Sequence, residues 1–167
     1  DLQTYFEVRG DISGRKVCWL GDGNNVCHSW MNAARQLDFE LVVACPEGYD
    51  PDPALLTACE AHARIDRDPA AAVEGAHLLV TDVWASMGQE SEAKERLARF
   101  EGFQVNAELM GHARPDSIFM HCLPAHRGEE VTADVMDGPK SVVFDEAENR
   151  LHAQKALLLL LFGAESF

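Results

Sequence analysis

The chain has 167 residues, 47% hydrophobic and 25% charged, enough for one substantial core and little more, so a single compact domain is expected. Its 28 acidic against 14 basic residues give a net charge of -14, which repels nucleic acid and anionic membranes and argues against both as partners. There is no run of about 18 apolar residues and no basic-then-apolar leader, so neither a membrane span nor secretion is indicated and a cytoplasmic setting is expected.

In chain order, Val17 to Leu20 reads as a buried strand, followed by the turn Gly21-Asp22-Gly23-Asn24-Asn25 and an amphipathic helix over His28 to Leu37. Leu41 to Cys45 is the next strand and Pro53 to His62 the next helix. Leu78 to Val83 then reads as a strand, Glu90 to Phe100 as a helix, Ile118 to Leu123 as a strand and Glu129 to Met136 as a helix. Val142 to Asp145 completes the strands, and Asp145-Glu146-Ala147-Glu148-Asn149-Arg150 opens the last helix. The alternation predicts an α/β fold, a doubly wound, Rossmann-like, mainly parallel sheet flanked by helices. Near the end, Leu157 to Phe162 places apolar side chains all round a helix. Either one face packs on this sheet while the rest frays, or a partner domain or subunit supplies the cover.

Five cysteines, Cys18, Cys27, Cys45, Cys59 and Cys122, form an odd set without CxxC spacing. Four lie among apolar or small neighbours, as reduced core thiols do, and no disulfide framework is expected.

In a doubly wound sheet the ligand sits beyond the carboxyl ends of the strands, which singles out three loops. Gly21 to Asn25 resembles an anion-binding glycine turn, but Val26 stands where the dinucleotide fingerprint needs its third glycine; the paired amides Asn24 and Asn25 favour a polar small molecule. In Asp82-Val83-Trp84-Ala85-Ser86-Met87-Gly88, Asp82 can hold an ammonium group or cap the following helix, and the residues leave both open. Met87 and Gly88 suit a loop that closes over a ligand. His121-Cys122-Leu123-Pro124-Ala125-His126-Arg127 offers a thiol beside a histidine. Adjacent strand residues point to opposite faces, however, so His121 and Cys122 form no dyad without a break in the strand. Cys122 is a reactive thiol or a core thiol. H-C-x-x-x-H supplies too few well-spaced ligands for zinc, and no metal is expected. Asp145, Glu146 and Glu148 suit a helix N-terminus, whereas Arg150 in a first turn opposes the dipole and points to an anion across the strand ends.

The motifs G-D-G-N-N, D-V-W-A-S-M-G, H-C-L-P-A and E-N-R, in this order, closely resemble the aspartate/ornithine carbamoyltransferase family, ornithine carbamoyltransferases in particular. The likeness runs from about Leu2 through the last helix, so residues 1–167 resemble the family's ornithine-binding domain. Its carbamoyl-phosphate-binding domain, with an S-x-R-T motif, has no counterpart in these residues. The resemblance implies that Asn25, Asp82, Ser86 and Met87 bind the α-amino and α-carboxyl groups of ornithine. Cys122 and Leu123 would lie beside the reacting δ-amine and carbamoyl group, with Cys122 as proton acceptor and the Leu123 to Pro124 peptide cis. Arg150 would meet the carbamoyl oxygen, so that Cys122, Leu123 and Arg150 also touch carbamoyl phosphate. It further implies a homotrimer at full length, no cofactor, and a chain inactive by itself.

Three rivals are weighed. A sibling transferase for putrescine or an N-acylated ornithine shares the chemistry, but the S-M-G loop with Asp82 suits a free α-amino acid. A non-catalytic ornithine-binding module has no use for Cys122 and Arg150. A nicotinamide-dependent dehydrogenase shares the fold class but lacks the third glycine.

Overall fold

A computed structural model describes residues 1–85 and 93–163. Ser86 and Met87 lie outside the described residues. The elements are α1 (Leu2–Arg9), β1 (Lys16–Leu20), α2 (Asn25–Leu37), β2 (Glu40–Ala44), α3 (Pro53–Ala58), β3 (Ala63–Asp66), α4 (Pro69–Val73), β4 (Leu78–Thr81), α5 (Ala93–Arg99), α6 (Ala107–His112), β5 (Ile118–His121), α7 (Ala133–Met136) and α8 (Val143–Leu161). The five strands form one sheet in the order β3-β2-β1-β4-β5, every pairing parallel. The doubly wound α/β fold expected from the alternation is present.

The strands are near-continuous apolar runs because both sheet faces are covered. Alternation sorts their side chains into two cores. Val17, Trp19, Leu41, Val43, Leu78, Val80, Ile118 and Met120 pack with Tyr5 of α1 and with Cys27, Trp30, Met31 and Ala34 of α2. Cys18, Leu20, Val42, Ala44, Leu79 and Phe119 pack on the opposite face with residues of α4, α6 and α7. Cys18, Cys27, Cys45 and Cys59 are free and buried, as their neighbours implied, while Cys122 is free and exposed rather than a core thiol.

Several helix starts are written in side chains that accept from otherwise orphan amides. Asn24 Oδ1 accepts from the N–H groups of Val26 and Cys27, Asp52 from Leu55, Asp68 from Ala70 and Ala71, and Asn106 from Leu109. Pro53 and Pro69, each following its capping aspartate, occupy the first turn where a missing N–H costs nothing.

Four sequence expectations are corrected. Val142 to Asp145 is not a strand: Ser141 makes a single bridge to Phe119, and the chain enters α8 at Val143. The buried residues of α8 are Val143, Glu146 and Asn149, a spacing of three that belongs to one helix face, so the apolar pair Val142-Val143 feeds a helix. Arg150 therefore stands about two turns into α8 and not in its first turn. The fifth strand is β3, whose Ala-Arg-Ile-Asp sequence is half polar because it forms a sheet edge and only Ala63 is fully covered. The helices expected over Pro53 to His62 and Glu129 to Met136 are shorter, ending at Ala58 and starting at Ala133.

The chain ends meet. Asn149 Nδ2 donates to Thr4 Oγ1 at 3.0 Å and Glu7 Oε2 at 2.6 Å, while Gln3 Nε2 donates to Asn149 Oδ1 at 3.0 Å, clamping α1 across α8. Beyond this clamp α8 leaves the domain: every side chain from Leu151 to Leu161 is exposed, and Leu160 and Phe162 are 67% and 84% exposed. No face of the apolar run packs on this sheet. No helix among the described residues is long and apolar enough to cross a membrane.

Candidate functional site

The strand order reverses between β1 and β4, since the chain winds outward from β1 through β2 to β3 and returns on the other side of β1. Loops leaving neighbouring strands in opposite directions open a crevice there, the usual ligand position in such sheets. Gly21 to Asn25 and Asp82 border this crevice, and the loop after β5 lies next to it.

Within the first turn, Gly21 adopts φ 136° and its N–H donates to Ala44 O at 2.9 Å. Gly23 is required by close approach: a Cβ there would overlap Pro51 N and the Asp50 carbonyl carbon, both backbone atoms that cannot swing aside. Gly23→Ala is accordingly expected to lower stability by about 1–3 kcal/mol, the range for overpacking a filled site, read as a lower urea midpoint at unchanged m-value. Asp22 Oδ2 receives Arg96 Nη1 at 2.6 Å, and the same nitrogen donates to Trp84 O at 3.0 Å. Both partners are largely buried, and the Arg96 guanidinium lies 5.0 Å from the centre of the Tyr49 ring. Arg96 thus ties α5 and the Trp84 backbone, which flank the S-M-G segment in sequence, to the glycine turn.

Asp82 is the hub of the crevice. Its Oδ2 accepts from Asn24 Nδ2 at 2.8 Å, and its Oδ1 accepts from Val83 N at 2.8 Å and from the Cys122 thiol at 3.2 Å. It caps no described helix, the next one beginning at Ala93. Asn25, by contrast, is exposed in the first turn of α2, and its neighbour Asn24 makes the contact to Asp82. An N-cap assignment from the G-N-N sequence separates the two amides: the capping residue is held at the helix start, facing the crevice.

Burial of the sulfur, and after it the charge and hydrogen bond of Asp82, push the Cys122 thiol up to about 12, although the residue as a whole is exposed. Near neutral pH the group is a thiol that donates to Asp82.

The expectation that His121 and Cys122 form no dyad holds. The His121 side chain is fully buried, and its Nδ1 accepts from Leu123 N at 2.9 Å. That leaves Nε2 to carry the proton and donate to Glu130 Oε1 at 3.1 Å. Glu130 Oε1 also accepts from His126 N at 2.6 Å, and Glu146 Oε2 accepts from His121 N at 2.9 Å. Two buried carboxylates therefore brace the loop through His121. Leu123 takes φ 54°, a left-handed conformation rare for a branched residue, and the Leu123–Pro124 peptide is cis as the resemblance implied. Neither Glu130 nor Glu146 stood out as a site residue in the sequence. Their partners lie nine and 25 residues away, beyond any local pattern.

Across from this loop lies a cavity of about 370 Å³, lined among others by Leu2, Gln3, Cys122, Glu146, Arg150 and Gln154. Burial raises the Glu146 carboxyl above its ordinary value. Arg150 is exposed at the cavity, and among the described residues no carboxylate pairs with it. A thiol, a carboxylate and, one turn further along α8, a guanidinium lining one cavity suit a ligand carrying an amine and an anionic or carbonyl group.

Residues 13–161 match the family model described as aspartate/ornithine carbamoyltransferase, Asp/Orn binding domain. The chain belongs to this family. It is 63% identical over 98% of its length to the ornithine carbamoyltransferase of Nitrosococcus oceani, covering 54% of that protein. It is 58% identical over 96% of its length to the anabolic ornithine carbamoyltransferase of Pseudomonas aeruginosa, covering 53%. Among solved structures, the Pyrococcus furiosus ornithine carbamoyltransferase superposes with a TM-score of 0.92 at 54% identity, over 99% of this chain and 55% of that one. The chain thus spans about half the length of the carbamoyltransferases it matches.

Proposed function

We propose that this chain is the ornithine-binding half of an ornithine carbamoyltransferase, which transfers the carbamoyl group of carbamoyl phosphate to the δ-amine of L-ornithine and yields citrulline and phosphate. The observation that carries the reading is the convergence of Asn24, Asp82 and Cys122 at the strand ends, with Cys122 and Arg150 lining one cavity.

In this reading Asn25, Asp82, Ser86 and Met87 hold the α-amino and α-carboxyl groups of ornithine. Cys122 and Leu123 border the reacting δ-amine. An ammonium has no lone pair, so the δ-amine attacks only after losing a proton. Cys122 is the proton acceptor. The free thiol, pushed up to about 12, still holds its own proton; a cationic amine at the site lowers it by stabilising the thiolate, the thiol proton leaves to solvent, and the thiolate then takes the proton of the amine. The lone pair then attacks the carbamoyl carbon, Arg150 stabilises the charge growing on the carbonyl oxygen, the carbon–oxygen bond to phosphate breaks, and the second proton of the attacking nitrogen leaves with the phosphate. A carbamoyl-phosphate-binding domain covers the apolar end of α8 and grips the phosphate, and the assembled enzyme is a cytoplasmic homotrimer. The chain alone does not turn over.

Calorimetry of the chain with L-ornithine, with putrescine and NAD as controls and with and without carbamoyl phosphate, tests the reading. Weak heat from ornithine that disappears in Asp82→Ala is the expected result. Binding of NAD with no heat from ornithine under any condition would overturn it.

A further inference from the structure

We propose that His126, Glu129 and Glu130 form a binding site for a divalent cation of the zinc class, on the turn that follows the Cys122 loop. His126 Nδ1 lies 3.9 Å from Glu129 Oε2 and 3.8 Å from Glu130 Oε2, and the three ligand atoms all lie within 4.8 Å of one another. With bonds of about 2.0–2.2 Å, a tetrahedral ion holds its donors about 3.4 Å apart, so the two edges to His126 close with shifts of ~0.5 Å and the edge between the two carboxylates with at most ~1.4 Å. The ring of His126 and the carboxylate of Glu129 are about half exposed and free to make them.

Glu130 is the decisive member. Its side chain is 0% exposed, and Oε2 is buried without a hydrogen-bond partner, while Oε1 accepts from both His126 N and His121 Nε2. Two donors on one oxygen fix the carboxylate, leaving the other oxygen buried beside the His126 ring without a hydrogen bond. A cation at that point supplies the missing partner.

The turn is braced before any ion arrives. Glu129 N donates to His126 O at 3.0 Å, Gly128 N to Val131 O at 2.8 Å, and Gln104 Nε2 to the carbonyls of Gly128 and Glu129 at 2.9 and 2.7 Å. One imidazole and two carboxylates with an open, solvent-facing side match zinc or cobalt better than calcium, which takes six to eight oxygens. The H-C-x-x-x-H segment by itself supplies too few well-spaced ligands for zinc; the ligands proposed here are His126 and the carboxylates three and four residues beyond it. Since the opposite oxygen of Glu130 holds the His121 ring, and that ring holds Leu123 N, occupancy reaches the Cys122 loop through two hydrogen bonds.

The test is titration of the untagged chain with Co²⁺, followed by visible d–d absorption and by displacement with Zn²⁺. The chain carries Cys122→Ser, so that the neighbouring group of Asp82, His121 and Cys122 offers no thiol. One equivalent of Co²⁺ is expected, displaced by Zn²⁺ and not by Mg²⁺. His126→Ala and Glu129→Ala, made at partly exposed positions and checked for folding by circular dichroism, should each weaken binding by at least the ~10–100-fold that loss of an outer-shell partner costs. The proposal is overturned by no spectral change at millimolar Co²⁺, or by either variant binding as tightly as its parent.

Discussion

Under the proposed carbamoyl transfer, Arg150→Met is expected to lower kcat by about 100- to 1000-fold in a protein that joins this chain to a carbamoyl-phosphate-binding domain, with any affinity of the chain for ornithine nearly unchanged. The guanidinium lines the cavity that also exposes Cys122, and no carboxylate among the described residues neutralises it. A fixed cation acts most strongly on charge that appears only during the reaction, the more so once a covering domain excludes water. Losing one such donor costs about 2.7–4 kcal/mol of transition-state stabilisation. Methionine keeps the apolar stem and removes the charge together with the N–H donors. Steady-state kinetics beside ornithine calorimetry separates the two effects, and a kcat within tenfold of the parent would remove Arg150 from the reaction.

Alkylation of Cys122 by iodoacetamide should be about 1000-fold slower at pH 7 than that of an unperturbed thiol. The reagent attacks the thiolate, and a shift from 9.0 to about 12 lowers the thiolate fraction by about three powers of ten. The rate then rises about tenfold per pH unit towards pH 12. Asp82→Asn removes the second cause of the shift and leaves burial, the first, so the variant reacts faster without reaching the free-thiol rate. A pH-independent rate near neutrality would show that the thiol is already ionised. Cys45, also pushed up to about 12 by burial, adds a stability consequence. Folded thiols raised above the unfolded value of about 8.5 stabilise the chain fully below that pH, and the stabilisation is lost as pH climbs towards 12.

The parallel sheet, the loops that border the crevice and the family were legible in the residues because each rests on a local signal. Buried parallel strands are continuous apolar runs, and glycine turns and the D-V-W-A-S-M-G and H-C-L-P-A segments are contiguous. Local signals failed where an element is short or shares its pattern with another. The half-polar edge strand β3 went unread, and Val142-Val143 read as a strand although a spacing of three at Val143, Glu146 and Asn149 makes it the start of α8. Tertiary structure alone decided that Asn24, rather than Asn25, meets Asp82, that Arg150 reaches the cavity from the third turn of α8, and that Glu130 and Glu146 brace the Cys122 loop through His121. These contacts join positions far apart in the chain, and only the winding of the sheet brings them together. A buried carboxylate and a solvated one are the same letter in a sequence, and what separates them is the set of donors that folding places around each.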